Sequence, residues 1–244
     1  MKKYELIPSD KKGLYQIKAI CDFGNIKTGD IGGYIESEGN LSHDGNAWVY
    51  GNAKVYGNAE VYGNAEVCGN AEVCGNAKVC GNAKVCGNAI VYGNAKVCGN
   101  AKVYGNAEVY GNAEVYGNAW VCGDAWVYGN AKVYGDAEVY GNAEVYGNAE
   151  VCGNAKVCGN AWVCGDAEVC GNADYIVFKN WWSSGRYFTW TRSNNKWAVG
   201  CFYGTGEELI AKAYEDSEKS GCEYERIVRY VEEILKGTIN EKNE

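Results

Sequence analysis

Histidine, proline and methionine each occur once in the 244 residues. A single imidazole excludes every mechanism that needs two or three, multi-histidine zinc hydrolysis among them. The near-absence of proline excludes collagen-like and proline-rich linker structure, although glycine is frequent at 34. A basic excess is also missing: 23 Lys+Arg face 31 Asp+Glu, a net charge of −8. That argues against direct nucleic-acid binding. No apolar run approaches the ~18–20 residues that a membrane helix needs. The opening Met1-Lys2-Lys3-Tyr4-Glu5 has no apolar core and does not read as an export signal. Cysteine is plentiful at 13, but neighbouring repeat cysteines lie six apart, not the roughly two to four of zinc sites. The odd count and the missing export signal predict reduced thiols in a cytoplasmic protein.

What is present is repetition. From Gly45 to Cys170 the pattern G-[N/D]-A-x-V-[Y/C] recurs twenty-one times without insertion. A decayed twenty-second copy follows at Gly171-Asn172-Ala173-Asp174-Tyr175-Ile176. Glycine at every sixth position excludes a helix. Within each hexad Ala, x, Val and Tyr/Cys alternate with period two, which predicts a short strand, and Gly-Asn supplies a corner. Strands this short need stacked coils, each pairing with its neighbours ~4.8 Å above and below.

The run resembles the hexapeptide repeat of left-handed parallel β-helices. Val49, Val55 and Val61 stand at the aliphatic position, and Ala53, Ala59 and Ala65 at the small one. The resemblance implies three hexads per coil, a triangular prism and left-handed coiling; two hexads per coil is the competing geometry. The expected fold is mainly β: a parallel β-helix solenoid of about seven triangular coils over 45–176. A β-rich cap over 1–44 and a small α+β domain over 177–244 complete it. The prism would be roughly 34 Å long. Each inward valine contributes ~1.5 kcal/mol at most, so stability comes from number. The corner asparagines Asn46, Asn64 and Asn82 would stack as amide ladders. Asp124, Asp136 and Asp166 never stand 18 residues apart, so no calcium column is expected.

An 18-residue period sorts the outward residues into columns. The column of Glu60, Lys78, Lys96, Glu114, Lys132, Glu150 and Glu168 pairs opposite signs at four of six contacts and reads as a solvated charge ladder. A second column holds Lys54, Glu72, Ile90, Glu108, Trp126, Glu144 and Trp162. Beside it Tyr92, Tyr110, Tyr128 and Tyr146 would form an aromatic strip. This face is the candidate partner-binding surface, because Trp is costly to leave in water and common at binding hot spots. Ring stacking and β-propensity explain the tyrosines without a partner. Cys68 over Cys86, Cys80 over Cys98 and Cys152 over Cys170 become vertical neighbours. Stacking distance permits disulfides there, but parallel Cβ vectors disfavour them.

In the cap, strands are expected over Tyr15–Phe23 and Ile31–Ile35, with turns at Gly24-Asn25 and Gly32-Gly33. The stretches Ile20-Cys21-Asp22-Phe23-Gly24-Asn25, Gly32-Gly33-Tyr34-Ile35 and Leu41-Ser42-His43-Asp44-Gly45-Asn46 resemble the lead-in of hexapeptide-repeat proteins encoded by phages, prophages and enteric bacteria. In the tail, Tyr187–Thr191 and Lys196–Tyr203 read as a hairpin turning at Asn194-Asn195, with a third strand near Tyr175–Lys179. Thr205 with Glu208 and Ser220 with Glu223 read as capping boxes of two helices. Tyr224, Ile227, Val228, Val231, Ile234 and Leu235 form the second helix's apolar face. Trp181, Trp182 and Arg186 are further candidate contacts. Their clustering suits single strands of nucleic acid, but ten Lys+Arg against eleven Asp+Glu in 177–244 leave no basic excess.

The acyltransferases among hexapeptide proteins use a catalytic histidine and loops projecting from the prism. Here the only histidine, His43, precedes the first full hexad, and no loop interrupts the run. The expectation is therefore a non-catalytic binding protein, with no cofactor and no metal. The resemblance to phage lead-ins implies a host-directed role in the host cytoplasm, such as binding a defence nuclease or effector. Pure DNA mimicry fits poorly. Twelve acids and seven lysines between Gly45 and Cys170 fall far short of the duplex charge of about one per 1.7 Å. A self-assembling scaffold or spacer, with homo-oligomers through the tyrosine strip, is the alternative; an acyltransferase is the third reading.

Overall fold

Each hexad contributes two strand residues, from Trp48–Val49 to Glu168–Val169. These strands are parallel and pair in register 18 residues apart, as in Trp48↔Glu66, Lys54↔Glu72 and Glu60↔Lys78. Three sheets result, each holding seven hexad strands. Three hexads therefore make one coil, and the two-hexad geometry is excluded. The computed structural model describes residues 1–240; the last four residues of the expected 177–244 domain lie outside the described residues. The chain forms two compact units, Met1–Asn172 and a second beginning at Ala173.

Alternation drives the packing. Alanine and valine of the hexads point inward and are almost fully buried, while x and Tyr/Cys point outward. At the corners glycine adopts positive φ, as at Gly87 with φ +78°. A Cβ there would lie 2.9 Å from the carbonyl oxygen of Gly105 in the next coil, so both torsion and space demand glycine. The following asparagine locks the corner: Asn64 N–H donates to Gly81 O (2.7 Å) and its Nδ2 donates to Asn82 Oδ1 (3.0 Å).

The N-terminal cap closes the first coil. Tyr4–Pro8, Tyr15–Ala19 and Ile31–Ile35 form an antiparallel run whose last strand pairs parallel with Lys54–Val55, extending the second sheet to ten strands. Three cap expectations change: the strand expected over Tyr15–Phe23 ends at Ala19. Tyr4–Pro8 is a strand that the sequence did not announce. Gly32-Gly33 lies within a strand, not a turn. A Cβ on Gly32 would stand 2.6 Å from Val49 O, and one on Gly33 2.7 Å from Ala53 O, so these glycines let the cap lie flat on the first coil.

Side chains supply donors that a preceding coil would have supplied. The buried Lys3 Nζ donates to Gly45 O (3.3 Å) and Ala47 O (3.0 Å). The buried Asn40 Nδ2 donates to Gly57 O and Ala59 O, both at 2.9 Å. The covered end is thereby satisfied rather than left as raw strand edge.

In the second unit, Tyr175–Lys179, Tyr187–Thr191, Lys196–Val199 and Phe202–Gly204 make a four-stranded antiparallel sheet. Tyr175 and Ile176 pair with Thr191 and Trp190, so the decayed twenty-second hexad adds no coil strand. The expected Lys196–Tyr203 strand breaks at Gly200, whose φ of +57° turns the chain back on itself. Helix α1 (Gly206–Asp216) has the expected Thr205–Glu208 capping box. Helix α2 (Glu218–Asn240) starts earlier than expected: the Ser220 N–H donates to Ser217 Oγ (3.2 Å), so Ser217 occupies the cap role assigned to Ser220. Tyr224, Val228 and Val231 are buried with Trp190, Trp197 and Leu209. Among the described residues no helix is long and apolar enough to cross a membrane.

Two stability measurements test this account. Gly87→Ala should lower stability by more than the ~1–2 kcal/mol of a left-handed alanine. Gly13→Ala, at φ +78° with nothing within 4 Å of the new Cβ, should cost only that torsional amount; equal losses in denaturant melts would refute the contact. Asn40→Ala should cost ~1–3 kcal/mol, because two buried carbonyls lose their donor, and exchange of the first-coil amides should accelerate.

A candidate protein-binding face

The second sheet carries the candidate surface, and backbone register assembles it. Ile90 pairs with Glu108, Glu108 with Trp126, Trp126 with Glu144 and Glu144 with Trp162. The structure thus brings all the expected members of this column onto one sheet. Beside them the rings of Tyr92, Tyr110, Tyr128 and Tyr146 stack at centroid spacings of 4.8, 4.9 and 4.9 Å, within 6° of parallel. The spacing is that of the strands, so the backbone ladder dictates the ring stack.

Exposure separates the members. Trp126 is 41% exposed, whereas Trp162, Ile90, Glu108 and Glu144 are half-buried. Tyr128 donates its hydroxyl to Glu144 (3.0 Å). Burial, followed by the neighbouring Tyr92 and Glu108, pushes the Tyr110 phenol up to about 12. Tyr128 is pushed upward by burial and by its bond to Glu144. Tyr146 moves the same way, through burial and then Cys164. The strip is therefore neutral over the ordinary pH range.

At its cap end this face opens into a groove of about 580 Å³, whose lining includes Lys11, Lys12, Glu36, Lys54, Tyr56 and Glu72. Lys54 pairs with Glu72 at 2.6 Å, and Tyr56 donates to the same carboxylate at 3.1 Å. The Lys54 bond comes first among the causes that hold the Glu72 carboxyl below its usual range. Lys11 Nζ sits 3.6 Å from the centroid of Tyr34. The sequence reading missed Lys11 and Lys12, since only the antiparallel cap sheet carries them to this face.

Other candidates fare differently. Trp181 (70% exposed) and Arg186 are on the surface of the second unit. Trp182 is a correction: it is 8% exposed and packs edge-on against Tyr224 (4.9 Å) and Phe188 (6.3 Å), so it is core. The charge ladder of the third sheet forms pairs at Lys78–Glu60, Lys96–Glu114 and Lys132–Glu150. Trp48, at the outward position of the first hexad, is buried beneath Phe23 (5.4 Å) and Tyr4 (6.2 Å). Trp120, on the same sheet as Trp48, is 39% exposed, with Lys102 Nζ 4.5 Å over its ring.

His43 stacks on Tyr4 at 4.2 Å, and its Nδ1 accepts from the Lys3 N–H at 3.3 Å. Burial pushes its pKa down. Stacking also revises the thiol expectation. Cys68–Cys86 and Cys152–Cys170 are disulfide-bonded, with Cα atoms 4.6 and 4.4 Å apart, and Cys80 Sγ lies 2.6 Å from Cys98 Sγ. These are the pairs that the 18-residue period makes vertical neighbours; the parallel Cβ vectors expected to disfavour a bond do not prevent one in two of the three. Cys152, Cys170 and Glu168 bring three metal-capable donor atoms within 4.8 Å of one another.

These features define a parallel β-solenoid repeat protein. A repeat-family model described as the YdcK beta solenoid repeat matches residues 83–99, close to one full coil. No curated protein matches the chain.

Tyr110 offers a pH test. Its value in the fold lies above the ~10 of a free phenol. Its stabilising contribution is therefore complete below pH ~10 and is lost as pH rises through about 12. Melting temperatures of the wild type should fall more steeply across that alkaline window than those of Tyr110→Phe. Parallel curves would show that the strip does not titrate as described.

Proposed function

We propose that this chain is a non-catalytic macromolecular binding protein whose second sheet engages a protein partner. One observation carries the reading: four tyrosines stacked at strand spacing flank an exposed Trp126 on a rigid sheet. Rings already fixed by stacking lose little freedom on binding, which is the condition for an aromatic hot spot. The mixed groove of Lys11, Lys54 and Glu72 adds a polar end to the same face.

The resemblance of the cap to phage and prophage lead-ins supports a host-directed role in the cytoplasm of the host. A defence nuclease or effector is then the partner class, bound or sequestered by contact. The net charge of −8 disfavours nucleic acid as the direct ligand. Kinship to hexapeptide acyltransferases would run through the coil alone. The placement of His43 against Tyr4, with Lys3 donating to Nδ1, supports a structural role for the single imidazole.

Photo-crosslinking from Tyr110 and from Lys96, on different sheets, tests the face in host lysate. A single defined adduct is expected from Tyr110 and none from Lys96. Trp126→Ala should weaken its recovery at least ~30-fold, the effect of losing about 2 kcal/mol at a hot spot. Undiminished capture by Trp126→Ala would remove this face from the proposal. Adducts consisting only of further copies of the chain would favour the self-assembling scaffold.

A further inference from the structure

The geometry points to a binding site for a thiophilic divalent cation of the zinc class at Cys152, Cys170 and Glu168. It is independent of the protein-binding face, since these residues belong to the third sheet. Glu150-Val151-Cys152 and Glu168-Val169-Cys170 are consecutive layers of that sheet, with Glu150 directly over Glu168. Both outward positions of both layers thus present a metal-ligating side chain. Cys170 Sγ is 3.5 Å from Glu168 Oε1, and the three donor atoms lie within 4.8 Å of one another. A tetrahedral zinc with Zn–S ~2.3 Å and Zn–O ~2.0–2.2 Å needs donors ~3.5–3.8 Å apart; Cys170 and Glu168 already stand at that distance, and the two sulfurs, bonded here, would separate to it on reduction.

Charge distinguishes this cysteine pair from the other two bonded or touching pairs. Cys68 and Cys86 follow Glu66 and Lys84, which neutralise each other at 2.9 Å. Cys80 and Cys98 follow Lys78 and Lys96, which pair directly in register, are engaged by Glu60 and Glu114, and offer no ligand atom to a cation. Cys152 and Cys170 follow two carboxylates in register. Glu150 is already engaged, by Lys132 at 2.8 Å and by the Tyr134 hydroxyl at 2.9 Å. Stacked like charges are unfavourable on a sheet, and a bound cation would convert that contact into an attraction. The charge ladder from Glu60 to Glu168 breaks its alternation of sign at two contacts, Lys78/Lys96 and Glu150/Glu168, and both breaks coincide with a cysteine pair.

In this structure the two sulfurs are bonded to each other. Two molecules of a small thiol would open that bond, giving two cysteine thiols and one small disulfide. The cation then displaces both thiol protons and gains two thiolates and the Glu168 carboxylate. Disulfide and metal site are alternative states of the same pair.

The test uses the full chain, reduced by a phosphine and kept anaerobic. Zinc affinity is read by competition with a chromophoric chelator, and cadmium by its thiolate charge-transfer absorption. One high-affinity equivalent is expected. Cys170→Ser should lower its affinity at least ~100-fold and Glu168→Gln ~10-fold, while Cys98→Ser should leave it unchanged. Circular dichroism checks that each variant keeps its coils. No high-affinity equivalent in the wild type, an unchanged affinity in Cys170→Ser or Glu168→Gln, or an equal loss in Cys98→Ser would each overturn the assignment.

Discussion

Everything on the surface of the solenoid depends on one backbone relation: the N–H of a hexad residue donates to the carbonyl seventeen positions later. Glu66 N to Ala83 O, Lys84 N to Ala101 O and Lys102 N to Ala119 O repeat it down one sheet. Because this offset recurs at the x and Tyr/Cys positions from coil to coil, residues 18 apart become neighbours whatever their side chains are. The core does not choose the surface, since alanine and valine recur identically inside. Aromatic strips, charge ladders and cysteine pairs are therefore written in the outward positions alone. Glycine enforces the offset at most corners, where successive coils pass too closely for a Cβ; Gly51 and Gly159 have room for one.

The corner amides add direction. Along one edge Asn46, Asn64, Asn82, Asn100 and Asn118 each donate Nδ2 to the next residue, and the last donates to Asp136 Oδ1 at 2.8 Å. The other edges pass their donors likewise to Asp124 (2.8 Å) and Asp166 (3.0 Å). An ionised carboxylate accepts and cannot hand a proton onward, so each aspartate receives a ladder without continuing it. A negative acceptor also strengthens the last bond of each series. These three substitutions are thus consistent with the polarity of the ladders.

The solenoid was legible in the sequence because one short pattern determines both strand and corner, and its period exposes the columns. Trp126 next to Glu144, and the four stacked tyrosines, follow from arithmetic alone. The cap was less legible. Tyr4-Glu5-Leu6-Ile7-Pro8 has no alternation strong enough to announce a strand, and Gly32-Gly33 resembles a turn until the first coil lies against it. The groove at Lys11 and Lys54 depends on antiparallel pairing across the cap, which no local signal encodes. Trp181 and Trp182 are adjacent and chemically identical; only the positions of Tyr224 and Phe188 decide that one is core and the other exposed. The cysteine pairs were visible as neighbours, but the charges beside them acquired meaning only once register set Glu150 over Glu168.

The identity of the hexads inside and their diversity outside give the gene an unusual editing rule. Duplicating or deleting a whole coil of three hexads would lengthen or shorten the protein while every later side chain kept its compass direction. Duplicating a single hexad would preserve the interior equally well, yet swing all downstream residues a third of a turn around the axis. The tyrosine strip would then be cut and its halves placed on different walls. Selection that maintains that strip therefore counts in eighteens, even though folding alone counts only in sixes.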